Sequence, residues 1–121
     1  MELIRGIVRS YSTMYEQGIV HRDLKLDNIL YSIKENGEIA VKIADFGLSK
    51  FQHSQMTMGV GTYAYDAPEV NVCGDEKPYY DSKVDVFSLG VIMFVLFVGQ
   101  TPIECDCYRG MINRNTHLDM K

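Results

Sequence analysis

Residues 21–30 read HRDLKLDNIL, and residues 45–47 read DFG. Asp23, Lys25 and Asn28 are set close together, and a second acid, Asp45, follows further along. Taken alone, an Asp or Asn in such a stretch often does no more than bond its own backbone in a turn. The surrounding chain decides whether these side chains converge.

Upstream, Leu3, Ile4, Ile7, Val8, Tyr11, Met14 and Tyr15 recur at helical spacing, and Gly18 stands where a C-terminal cap belongs. The spacing predicts a helix that delivers the chain to His21. Downstream, NILYS and EIAVKIAD read as two strands with Asn36-Gly37 as the turn, and Ile39, Val41 and Ile43 share one face. A hairpin of this kind returns Asp45 to the neighbourhood of Asp23. Residues 48–80 show no sustained period and read as a long loop of the functional kind. From Val84 to Val98 only Asp85, Ser88 and Gly90 interrupt an apolar run, which predicts a helix buried on nearly all sides. That run falls short of the ~20 residues that span a bilayer. Beyond Gly99 the chain turns polar and carries little signal, and there are no repeats, low-complexity tracts or domain linker.

The chain has 121 residues, 46% of them hydrophobic and 23% charged, as expected for one globular domain. Twelve basic and 16 acidic residues give a net charge of −4 without a basic block, so neither nucleic acid nor a membrane surface is an expected partner. Cys73, Cys105 and Cys107 have no second Cys or His pair at zinc spacing. The first residues, MELIRGIV, do not form a secretory signal. An intracellular location, cytoplasmic or nuclear, is the expectation.

HRDLKLDN, DFG, GTYAYDAPE (residues 61–69) and DVFSLG (residues 85–90), in this order, resemble the eukaryotic protein kinase family. The resemblance implies a fold class that is mainly α with a small β-hairpin. It corresponds to the C-terminal lobe of the α+β kinase fold, with the N-terminal lobe absent, so residues 1–121 form a partial kinase domain. It implies ATP and Mg²⁺ as cofactors and a protein substrate. Phosphoryl transfer is largely alignment and charge neutralisation. By resemblance, Asp23 orients the substrate hydroxyl and accepts its proton, and Lys25 sits near the transferred phosphate. Asn28 and Asp45 supply the hard oxygen ligands that Mg²⁺ prefers.

Lys25 and Thr62 together are the pair typical of serine/threonine kinases, with Thr62 bridging Asp23 and Lys25. Arg22 with Lys50 resembles a pocket for a regulatory phosphate that an upstream kinase would add at Ser54 or Thr57. Asp85 has two readings: a Ser-x-x-Asp cap starting from Ser82, and, by resemblance, an anchor for the catalytic-loop backbone. Glu69 is structural by resemblance, and its Arg partner in the family is expected beyond residue 121. Phe46 is expected to pack, and Lys42 to be an exposed hairpin residue.

Some positions depart from the family pattern. Leu26 replaces a frequent Pro and Phe87 a frequent Trp, both apolar exchanges. Asp66 replaces the apolar residue usual before APE, in the wall that receives the substrate residue after the phosphoacceptor. Gly59-Val60-Gly61 does not make a nucleotide-covering glycine loop. A polypeptide of these residues alone is therefore expected to be inactive. The functional expectation is a serine/threonine kinase catalytic sequence; the alternative is a noncatalytic remnant that binds or competes for partners.

Overall fold

The computed structural model describes residues 1–54, 60–71 and 81–102. Thr57 and the three cysteines lie outside them. Helix α1 (Glu2–Glu16) buries Ile7, Tyr11 and Met14, a stripe at helical spacing, and ends at Gln17. Gly18 follows at φ 73° and donates its N–H to the Tyr15 carbonyl at 2.9 Å. Strand β1 (Ile19–Val20) leads into the loop that carries His21, Arg22 and Asp23. A 3₁₀ turn at Leu26–Asn28 then opens into β2 (Ile29–Ile33), which pairs antiparallel with β3 (Ile39–Ile43), Ile29 opposite Ile43 and Ile33 opposite Ile39. The connecting turn uses Gly37 at φ 82°, and Asn36 Oδ1 accepts the Glu38 N–H at 3.0 Å.

The hairpin lies against α1. A side chain at Gly6 would overlap Val41, so the helix and β3 approach as closely as a glycine allows. The Ser10 hydroxyl adds a bond to the Val41 carbonyl at 2.9 Å. Strand β4 (Lys50–Phe51) pairs antiparallel with β1, Val20 opposite Lys50. A second 3₁₀ turn spans Pro68–Val70, and α2 (Lys83–Val98) ends at Gly99, φ 84°.

The buried apolar residues form two clusters, and Val20 and Leu24, on either side of His21, Arg22 and Asp23 in the chain, belong to different ones. Ile7, Tyr11, Met14, Leu24 and Ile92 form one; Val20, Ala67, Val70 and Val84 form the other. Leu24 and Ile92 have no exposed surface, so α2 serves as the floor on which the loop rests.

The expected fold class needs correction. The described residues open with a helix followed by four strands in two two-stranded sheets, a mixed α/β order rather than a mainly α lobe with one hairpin. The region read as loop hides β4, whose two residues are too few to show a strand period. The expectation for α2 also fails in part. Val84, Asp85, Ser88, Val91 and Ile92 are buried on one face, whereas Val86, Met93, Phe94, Phe97 and Val98 are exposed. No described helix is long and apolar enough to cross a membrane.

Candidate active site

The loop between β1 and the first 3₁₀ turn is held from below by one carboxylate. Asp85, fully buried at the start of α2, accepts the His21 N–H at 2.7 Å and the Arg22 N–H at 2.9 Å. Burial pushes the Asp85 carboxyl up from its usual range, against the opposing pull of these two donors. Ser82 makes no side-chain cap at this helix start. The anchored turn puts Arg22 at φ 72°, and Asp45 after β3 sits at φ 60°. Non-glycine residues held in this left-handed region cost ~1–3 kcal/mol each and persist where surrounding bonds enforce them.

Above this anchor the polar side chains converge. Thr62 donates its hydroxyl to Asp23 Oδ1 at 2.7 Å and accepts from Lys25 Nζ at 2.9 Å, while Lys25 Nζ also lies 3.0 Å from Asp23 Oδ2. The hydrogen bond to Asp23 raises the Lys25 pKa above its usual value, in favour of the charged ammonium. Asn28, buried, donates Nδ2 to the Asp23 carbonyl at 2.8 Å, which turns the amide oxygen into the group left to accept or ligate. The hairpin returns the chain beside this loop, with the Ala44 N–H on the Asn28 carbonyl at 2.9 Å, and the Asp45 charge acts on Lys25. Asp45 is exposed.

Asp66 lies inward. It is 6% exposed, and its Oδ1 accepts the Thr62 N–H at 3.1 Å. Arg22 is buried. Lys50 is half-buried in β4, Ser54 follows in a turn, and Glu69 is exposed in the second 3₁₀ turn. Lys42 is exposed on β3, and the half-exposed Phe46 ring contacts His21 with centroids 5.1 Å apart.

A hydroxyl bridging a carboxylate and an ammonium, beside an amide and an exposed second carboxylate, suits alignment of an alcohol against a charged phosphate. The family model described as protein kinase domain matches residues 1–119. The chain belongs to the protein kinase family. Because that match starts at residue 1 and spans nearly the whole chain, the division into a C-terminal lobe without its partner lobe is withdrawn.

Among its kinase relatives, a probable myosin light chain kinase of Dictyostelium discoideum is 39% identical over 97% of this chain and 29% of its own length. Calcium/calmodulin-dependent protein kinase type 1 of Macrobrachium nipponense is 43% identical over 84% of this chain and 28% of its own. Myosin light chain kinase A of Dictyostelium discoideum is 44% identical over 86% and 34%. The chain thus spans about a third or less of these relatives. Protein kinases use ATP and Mg²⁺ to phosphorylate proteins.

The donors present fit that metal. Asn28 and Asp45 are hard oxygen donors, and among the described residues no group of three or more His, Cys, Asp or Glu could hold an ion unaided. Mg²⁺ suits such a site because it keeps waters and shares phosphate oxygens.

Sequence reasoning passed over three residues packed about these side chains. His21 is fully buried; its Nε2 lies 3.0 Å from the Ala44 carbonyl, and its Nδ1 accepts the Asp23 N–H at 3.3 Å. It thereby ties the loop to the segment bearing Asp45. Gly61 and Asn71 both flank Asp66. Only His21 had a signal, its place at the head of the motif.

Proposed function

We propose that the chain is the catalytic sequence of a serine/threonine kinase, transferring the ATP γ-phosphate to Ser or Thr hydroxyls of proteins. The observation that supports this reading is the triangle of Asp23, Thr62 and Lys25, with all three edges at 2.7–3.0 Å. Asp23 orients the acceptor hydroxyl and takes its proton; Lys25 offsets charge on the phosphate oxygens. Asn28 and Asp45 would hold Mg²⁺, which supplies charge neutralisation on the phosphates when bound. The names of the serine/threonine kinases among the relatives agree with this reading.

The test is a graft: residues 1–102 replace the matching segment of the Macrobrachium nipponense kinase, and peptide phosphorylation is followed. The graft is expected to phosphorylate Ser/Thr peptides. Asp23→Ala should abolish transfer with Mg²⁺-ATP binding kept, whereas Asp45→Ala should weaken that binding as well. The 121-residue polypeptide alone, as control, is expected to show no transfer. A folded graft without transfer, or one whose Asp23→Ala variant turns over normally, overturns the reading.

A further inference from the structure

Asp66 is a carboxylate at a position where the resemblance leads one to expect an apolar side chain, and it is enclosed. Its Oδ1 takes the Thr62 N–H at 3.1 Å, and Asn71, at the end of the second 3₁₀ turn, acts on the same carboxyl to lower its pKa. Gly61, at φ 122°, makes the approach possible, because a side chain there would collide with Asp66 Oδ1 and lie 3.0 Å from the Arg22 carbonyl. The Thr62 carbonyl is held as well, by the N–H groups of Tyr65 at 2.8 Å and Asp66 at 3.2 Å. Thr62 is therefore gripped on both sides of its main chain by its own loop. Its hydroxyl lies between Asp23 and Lys25.

We propose that Asp66 is a positioning residue that clasps the Thr62 main chain and so fixes the Thr62 hydroxyl between Asp23 and Lys25. The catalytic meaning of the clasp rests on the kinase reading above; the clasp itself does not.

The surroundings set how the carboxyl behaves. Burial raises its pKa to about 6; the Thr62 N–H and Asn71 pull it down, Asp23 pushes it up and Lys25 pulls it down from the catalytic loop. Arg22 from the same loop and Asp85 from α2 line the same small cavity. Above pH 6 the acceptor is mainly a carboxylate, and its bond to Thr62 is charge-assisted. Below that midpoint it is a neutral carboxyl and a weaker acceptor. The Thr62 amide should report the change.

The experiment is NMR on the ¹⁵N,¹³C-labelled chain between pH 4.5 and 7.5, with amide exchange at Thr62 compared with Val70, whose N–H bonds Ala67 at 3.0 Å. In the parent chain the Thr62 amide shift should titrate with the Asp66 carboxyl, midpoint near 6. Asp66→Asn, which keeps an oxygen acceptor, should abolish that titration and hold Thr62 exchange within about 3-fold of the parent. Asp66→Leu should speed Thr62 exchange by about 10-fold or more, with Val70 unchanged, as expected for loss of a charge-assisted bond. Unchanged Thr62 exchange in Asp66→Leu, or a parent Thr62 amide that does not titrate near 6, overturns the proposal. If Asp66→Leu does not fold, the comparison of the parent with Asp66→Asn decides. A clasp seen by NMR in a chain whose graft transfers no phosphate refutes the kinase reading and leaves the clasp standing.

Discussion

Replacing Asp85 by Ala should cost the fold about 2–4 kcal/mol. Asp85 has no exposed surface and is the acceptor for two backbone N–H groups, at 2.7 and 2.9 Å. Alanine leaves both donors without that acceptor, and each buried unsatisfied donor costs ~1–3 kcal/mol, so the gross loss is about 2–6 kcal/mol. Part is returned, because burial disfavours the Asp85 charge, as the raised pKa shows, and alanine has no charge to bury. The anchored turn also holds Arg22 at φ 72°, a conformation that the freed loop would abandon.

Urea unfolding followed by circular dichroism is the assay. With a slope of ~2 kcal/mol per molar urea, the middle of the range for small domains, the midpoint should fall by roughly 1–2 M. Asp85→Asn should lose less, since its amide oxygen can still accept one of the two N–H groups while its nitrogen faces the other. Amide exchange should accelerate at His21 and Arg22 before it does at Ile92, in the middle of α2. An Asp85→Ala midpoint within about 0.3 M of the parent, with exchange at Arg22 unchanged, would refute the claim that this carboxylate holds the loop.

Asp66 makes a linkage prediction. Its pKa is raised from 3.8 unfolded to about 6 folded, so the folded chain keeps a proton that the unfolded chain releases. The stability tied to that proton is fully present below pH 3.8 and lost as pH rises through 6; between pH 5 and pH 7 it should fall by about 1 kcal/mol. Urea midpoints of the parent minus Asp66→Asn, measured across this range, check the sign; a difference independent of pH counts against the buried carboxyl. The two glycines Gly61 and Gly90 should respond oppositely to alanine. At Gly61 the positive φ and the Asp66 contact make the substitution cost ~1–3 kcal/mol. At Gly90, within α2 and with nothing near its missing Cβ, alanine should stabilise by about 0.5–1 kcal/mol. Thermal unfolding of both variants tests the contrast, which fails if the two shift the midpoint in the same direction.

The helix α1, the β2–β3 hairpin and the last turn of α2 were legible because each obeys a local rule. Apolar spacing in α1, alternation in β3, Asn36-Gly37 at the turn, and Gly18 and Gly99 past the helix ends are properties of neighbouring residues. Strand β4 was illegible for the converse reason. Two residues carry no period, and Lys50–Phe51 become a strand only because Ile19–Val20 offer an edge. The expected all-round burial of α2 misled because hydropathy reports the preference of a side chain, whereas its burial depends on which other segments lie against it.

The same division runs through the candidate site. Asp23, Lys25, Asn28, Asp45 and Thr62 could be named from sequence because the motifs that carry them resemble those of the kinase family, and phosphoryl transfer uses groups of these types. The distances between Thr62 and the Asp23–Lys25 pair, which lie far away along the chain, exist only after folding. The role of Asp66 was decided by tertiary structure alone. From sequence the acid before APE reads as part of the wall that receives the substrate residue after the phosphoacceptor, whereas its enclosure against the Thr62 N–H depends on the space left by Gly61. Sequence determined which groups are present and the local elements that carry them. Tertiary structure decided which groups are enclosed and paired, because enclosure and hydrogen bonding are set by segments distant along the chain.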